Sequence, residues 1–164
     1  MKQALCLLCM IALCVCLFGC NNASNEFKEP VDVFFCASPI VYNSENGALA
    51  REVRDYSGWH ENIHGFLNDY ITSSTNGKCT SPFPLGAWIL RYEQKDTTAN
   101  LVLNVHFSKL APNELTLACA CISMTLFGLT DVETVNLKID GSYSRTTLTM
   151  TRSNLCLTNA TQIG

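Results

Sequence analysis

Two of the three histidines of the chain fall in the stretch SGWHENIHGFLNDYI, where His60, Glu61 and His64 spell H-E-x-x-H. On a helix that spacing sets two imidazoles one turn apart, able to share a zinc ion, with the glutamate beside a metal-bound water as general base. A zinc hydrolase of this kind needs a third ligand from another element. His106 is the remaining histidine, and Glu93, Glu114, Asp131 and Glu133 are the acidic alternatives. On a helical wheel begun at Trp59 the two imidazoles flank the apolar stripe while Glu61 points toward water. Such a surface suits an amphipathic helix better than a peptidase cleft, which must also hold an extended substrate. The expectation is therefore no catalytic residue, no resident metal and no cofactor; a zinc hydrolase built on His60, His64 and His106 with Glu61 as base is the alternative.

Other reactive types are spread thinly. Ser38, Ser57, Ser81 and Ser108 have no G-x-S-x-G context, and the glycines build no phosphate loop. The 11 Lys and Arg stand singly against 14 Asp and Glu, for a formal net charge of −3. Without a basic patch or interleaved aromatic residues, nucleic acid is not an expected partner. Trp59, Trp88 and Tyr92 could stack on a small envelope ligand or wall fragment, although all three fall in core-facing registers.

Cysteine use divides the chain. Of 10 cysteines, Cys6, Cys9, Cys14, Cys16 and Cys20 lie in the opening segment, and Cys36, Cys79, Cys119, Cys121 and Cys156 lie beyond it. An exported domain with five cysteines leaves at least one unpaired within the chain. Cys119 and Cys121, two residues apart on a helix, face different ways and read as small buried hydrophobes. Cys79, next to Lys78, reads either as a reactive thiol or as a partner of Cys36 or Cys156.

The opening MKQALCLLCMIALCVCLFGC has one lysine, an apolar run from Ala4 to Phe18 and a small residue before Cys20. The run is short for a membrane span of about 20 residues, and its form marks a targeting segment. It resembles a bacterial lipoprotein signal. The resemblance implies cleavage before Cys20, acylation of that thiol, and a chain anchored by lipid at the extracytoplasmic face of the cell membrane. The expected organisation is a signal at 1–19, a lipidated cysteine and tether at 20–30, one domain at 31–150 and a tail at 151–164.

The domain reads as alternating elements. VDVFFCA is a β-branched and aromatic strand, and LAREVRDY a short charged one. From Gly58 the period changes: Trp59, Ile63, Phe66, Leu67, Tyr70 and Ile71 form the stripe of a helix, with Ser57 as its cap. WILRYEQKD and NLVLNVHFS alternate around a polar turn as a hairpin. Trp88, Leu90 and Tyr92 face one way, and Leu101, Leu103, Val105 and Phe107 line the return strand. Pro112 and Gly128 bracket a second helix. ETVNLKIDG and SRTTLTMTR make a last hairpin turning at Asp140-Gly141. The fold class is α+β, a small, mainly antiparallel sheet with two helices packed on one face.

The second helix carries two apolar arcs: Leu115, Ala118, Cys119, Ile122, Thr125 and Leu126 on one, Leu117, Cys121 and Met124 on the other. The excess is either a face for a partner, through Leu117, Cys121 and Met124, or the mark of a helix wedged between two layers.

Taken together, VDVFF, LAREVRDY, FLNDYI, SPFPLGAWILRY, LVLNVHFSKL and above all LACACISMTLFGLTDVETVNLKIDG resemble a GerM domain. This small module, found in envelope lipoproteins and in a spore germination and sporulation protein, matches from Val31 to about Met150. His106 stands where the family more often has aspartate, and NLCLTNATQIG has no counterpart in it. The resemblance implies a ring-building-motif-like fold and a non-catalytic role in protein–protein assembly, in a sporulation or other envelope complex, with other envelope proteins or further copies of itself as partners. Confinement to a membrane raises the local concentration of such modules and lets weak lateral contacts form.

Overall fold

A computed structural model describes residues 29–40, 47–141 and 147–155. The leader, Cys20, most of the tether and Cys156 lie outside the described residues, as does the C-terminal stretch that follows it. The strands fall into two sheets. The first has β1 (Glu29–Ala37) at its centre, flanked by β2 (Leu49–Tyr56) and by β3, the two residues Cys79–Thr80. β1 and β2 run antiparallel from Glu29 opposite Tyr56 to Cys36 opposite Leu49. The second sheet has the order β4-β5-β6-β7, with β4 at Ile89–Lys95, β5 at Thr98–Leu103, β6 at Thr134–Ile139 and β7 at Leu148–Thr151. The helices are α1 (Ile63–Thr72) and α2 (Pro112–Leu129), and a 3-10 turn covers Val105–Lys109.

The α+β class, the two helices and the mainly antiparallel pairing are as the sequence leads one to expect; the division into two sheets is not. β5 and β6 pair in parallel, Thr98 opposite Thr134 through Leu103 opposite Ile139. Parallel neighbours need a crossover connection, and α2 supplies it. β7 then returns antiparallel on β6. The two antiparallel pairs expected from the sequence, β4 with β5 and β6 with β7, are thus joined into one sheet by a parallel β-α-β crossover.

One core joins these layers. Val33 and Phe35 of β1, Leu67 and Tyr70 of α1, Leu101 and Leu103 of β5 and Ile122 and Leu126 of α2 are all fully buried in it. β1 is covered on its other side too, where Phe34 and Cys36 pack with Leu49, Ala120 and Cys121 in a second cluster. α2 therefore lies between two apolar surfaces, which accounts for both of its arcs: Cys119 faces the main core and Cys121 the second cluster.

Polar groups lock the layers at defined points. The outer edge of β1 at Phe34 is closed by both helices: its N–H donates to Thr125 Oγ1 at 3.1 Å, and its carbonyl accepts from the Tyr70 hydroxyl. Both partners are buried, so neither backbone group of Phe34 is left unpaired. Arg152, just past β7, donates to the carbonyls of Phe127, Thr130 and Val132 at the C-terminal end of α2. There its charge also complements the helix dipole. Glu114 accepts from the Ala111 N–H at 2.9 Å and so serves the first turn of the same helix.

Candidate interaction surface

The H-E-x-x-H stretch does not sit on one helix. Gly58 adopts φ +61°, the Glu61 N–H returns to the Gly58 carbonyl, and α1 begins only at Ile63. Its cap is Asn62, whose side chain accepts from the Gly65 N–H at 2.9 Å, and not Ser57. Gly58 reaches a left-handed conformation that L-residues with a Cβ adopt at a cost, and this makes the turn. His60 is consequently in that turn, exposed, with Nδ1 3.8 Å from a Glu29 carboxylate oxygen and its ring edge-on to Trp59.

His64 does something else. Its Nε2 lies 2.7 Å from the Ile89 carbonyl. A carbonyl only accepts, so Nε2 carries the proton and donates. One turn on, Asn68 meets the same residue twice: Oδ1 accepts from the Ile89 N–H at 2.8 Å and Nδ2 donates to the Ile89 carbonyl at 3.1 Å. The i, i+4 pair His64 and Asn68 thereby binds α1 to the start of β4 and closes a strand edge that pairs with β5 on its other side. His106 is on the 3-10 turn, its ring against Gly86 and Nδ1 3.5 Å from Lys109 Nζ. Among the described residues no three His, Cys, Asp or Glu side chains converge as a metal site would require. The spacing that suggested zinc belongs to a turn and a helix–strand clamp.

Of the face expected on α2, Cys121 is fully buried against β1, and Leu117 and Met124 are half-buried on the same cluster. Cys121 is therefore no contact residue for a partner: the second layer formed by Phe34, Cys36 and Leu49 already covers it. Cys36 and Cys79 are free thiols, so they do not pair with each other. Ala37 is the residue of β1 that stands opposite Cys79. The Cys36 and Cys121 thiols are hydrogen-bonded, which lowers the Cys36 pKa, while burial pushes Cys121 up. Burial alone raises Cys119, to about 12.

Exposed apolar surface gathers instead around the start of β4. Leu85 is 98 % exposed, Val105 51 %, Trp88 47 % and Leu90 46 %. The Asn104 N–H donates to the Trp88 carbonyl and its side chain to the Gly86 carbonyl, so the 84–88 turn and the end of β5 are stitched together. Elsewhere that sheet's outer face is mostly polar, with Asn136 bonded to both Asn100 and Thr149 and Arg91 beside Glu93. Strand alternation alone misses this set. The register shifts between Ile89 and Arg91, so Ile89 turns inward and Trp88 and Leu90 turn out, while Tyr92 returns to the core side. Val105 is exposed because the chain leaves β5 for a 3-10 turn after Asn104.

These features define a small α+β module with a solvated sheet face that ends in a cluster of exposed aromatic and aliphatic side chains. Solved structures share the fold. The tandem GerMN domains of the sporulation protein GerM from Bacillus subtilis align at 18 % identity with a TM-score of 0.52, over 77 % of this chain and 43 % of that one. The first GerMN domain of the same protein aligns at 13 % identity with a TM-score of 0.54, over 69 % of this chain and 84 % of that one. The chain thus spans less than half of the tandem protein and most of a single GerMN domain. No family model matches the sequence, and no curated protein matches it either.

Proposed function

We propose that this chain is a non-catalytic envelope lipoprotein, held at the extracytoplasmic face of the cell membrane by a lipid on Cys20, whose domain assembles with other envelope proteins or with further copies of itself. The observation that carries the reading is the exposed set Leu85, Trp88, Leu90 and Val105 beside a mostly polar sheet face. Interfaces concentrate their binding energy in a few residues, tryptophan prominent among them, surrounded by contacts that exclude water; Trp88 would be such an anchor and Leu85, Leu90 and Val105 its surround, whereas isolated surface aliphatics need no such explanation. The GerMN-like fold supports the same class of work, because that protein is a sporulation protein; a sporulation complex is the particular setting proposed. Leu117 and Met124, half-buried, would contribute only at the margin of a contact.

The experiment is crosslinking of the full chain in its own membrane, followed by gel analysis and identification of the products. A discrete higher-mass species that disappears in the Trp88→Glu, Leu90→Lys double variant is the expected result. A chain that stays monomeric and captures no partner overturns the reading. Labelling of the membrane fraction with a radioactive fatty acid, lost in Cys20→Ser, tests the anchor separately.

A further inference from the structure

Beside the second cluster is a cavity of about 230 Å3 whose wall includes Cys36, Ile40, Pro82, Phe83, Leu117 and Glu114. It lies between the end of β1, the loop after β3 and the first half of α2. Cys36 forms part of that wall, and Cys121 is packed with it in the same buried cluster. Two cysteines packed in one cluster, one on a cavity wall and one behind it, have the arrangement of an attacking thiol and a resolving thiol. Neither residue takes part in the assembly surface on β4, so the two sites are separate.

We propose that Cys36 and Cys121 form a redox-modifiable dithiol site that reacts, through this cavity, with small disulfides lacking negative charge. The Cys36 thiolate attacks one sulfur of the incoming disulfide; a mixed disulfide forms on Cys36 and one thiolate leaves. That thiolate takes the Cys121 proton, and Cys121 attacks Cys36 Sγ. The Cys36–Cys121 bond forms, the second thiolate departs and is protonated by water. Two protein thiols are oxidised and one small disulfide is reduced to two thiols. The order of attack follows from position: Cys36 lines the cavity wall, whereas Cys121 is packed in the same cluster without lining the cavity; the bond from Cys121 also lowers the Cys36 pKa. The apolar walls and the Glu114 carboxylate set the preference for a small neutral or cationic reagent. The product would tie β1 to α2 covalently across an interface that is already packed.

The probe is cystamine, applied to the full chain in detergent, quenched with N-ethylmaleimide after denaturation and mapped by mass spectrometry without reduction. The expected product is a peptide pair joined through Cys36 and Cys121, lighter by about 2 Da than the two reduced peptides together, with Cys119 alkylated. In Cys121→Ala the reaction is expected to stop at a cystamine adduct on Cys36. The proposal is overturned if Cys36 and Cys121 both carry the maleimide, if Cys36 in the unmutated chain retains the adduct without bridging, or if it is joined to a different cysteine. The mapping of the unmutated chain decides the matter even where the alanine variant does not fold.

Discussion

Replacing Asn68 by leucine tests whether the H-E-x-x-H region is a structural clamp. Asn68 is buried and makes two bonds to Ile89, at 2.8 and 3.1 Å, and Ile89 is itself fully buried. Leucine keeps the branched shape of the side chain, at a somewhat larger size, and removes both bonds. The Ile89 N–H is left without a partner, while the carbonyl still accepts from His64. An orphaned buried donor costs about 1–3 kcal/mol and a lost bond about 1 kcal/mol more, so the domain should lose about 2–4 kcal/mol. Against a total stability on the order of 5–15 kcal/mol this is a large fraction, and it corresponds to a fall in Tm of roughly 8–16 °C. His64→Leu removes one half-buried bond and should cost about 1 kcal/mol, whereas His60→Ala and Glu61→Gln, both at exposed positions, should stay within about 0.5 kcal/mol. Thermal melts followed by tryptophan fluorescence, run with a chelator and again with added zinc, measure all four. The clamp predicts the same ranking in both conditions. If His60→Ala and His64→Leu are destabilising only when zinc is present, and Asn68→Leu is neutral, the reasoning fails and the histidines are ligands.

Three further outcomes follow from the packing. Thr125→Val leaves the Phe34 N–H unpaired between two helices and should cost about 1–3 kcal/mol in denaturant unfolding; a loss below the error of the fit would show that another group serves this edge. Trp88→Glu with Leu90→Lys should leave Tm within about 2 °C, because surface changes away from structural partners rarely exceed about 0.5 kcal/mol, so that a loss of crosslinking reports the surface and not unfolding. Burial holds Cys119 up to about 12 and raises Tyr70 and Cys121. In the unfolded chain these groups release protons from about pH 9 while the native state keeps them. The unfolded state then binds fewer protons, and stability falls as pH rises, by about 1.4 kcal/mol per pH unit for each group. Cys119→Ala should flatten that alkaline slope, and an unchanged slope would remove Cys119 from the account.

Much of the architecture is legible in local chemistry. The β-branched and aromatic run VDVFF, the stripe from Ile63 to Ile71, and Pro112 at the start of an apolar 18-residue helix each specify an element through side-chain period and backbone restriction. The separation of Cys119 from Cys121 onto different faces follows from the 100° helical step alone. Tertiary structure decided the rest. The parallel pairing of β5 with β6 depends on where α2 lands. Which arc of α2 is free depends on whether β1 is covered on both sides, and Phe34 and Cys36 show that it is. The exposure of Trp88 and Leu90 depends on a one-residue register shift, which no alternation pattern carries. The role of His64 depends on a carbonyl 25 residues away in the chain. In each case the determining partner is distant in sequence: period and propensity act over one or two turns, whereas hydrogen-bond satisfaction and burial are settled only once the layers meet.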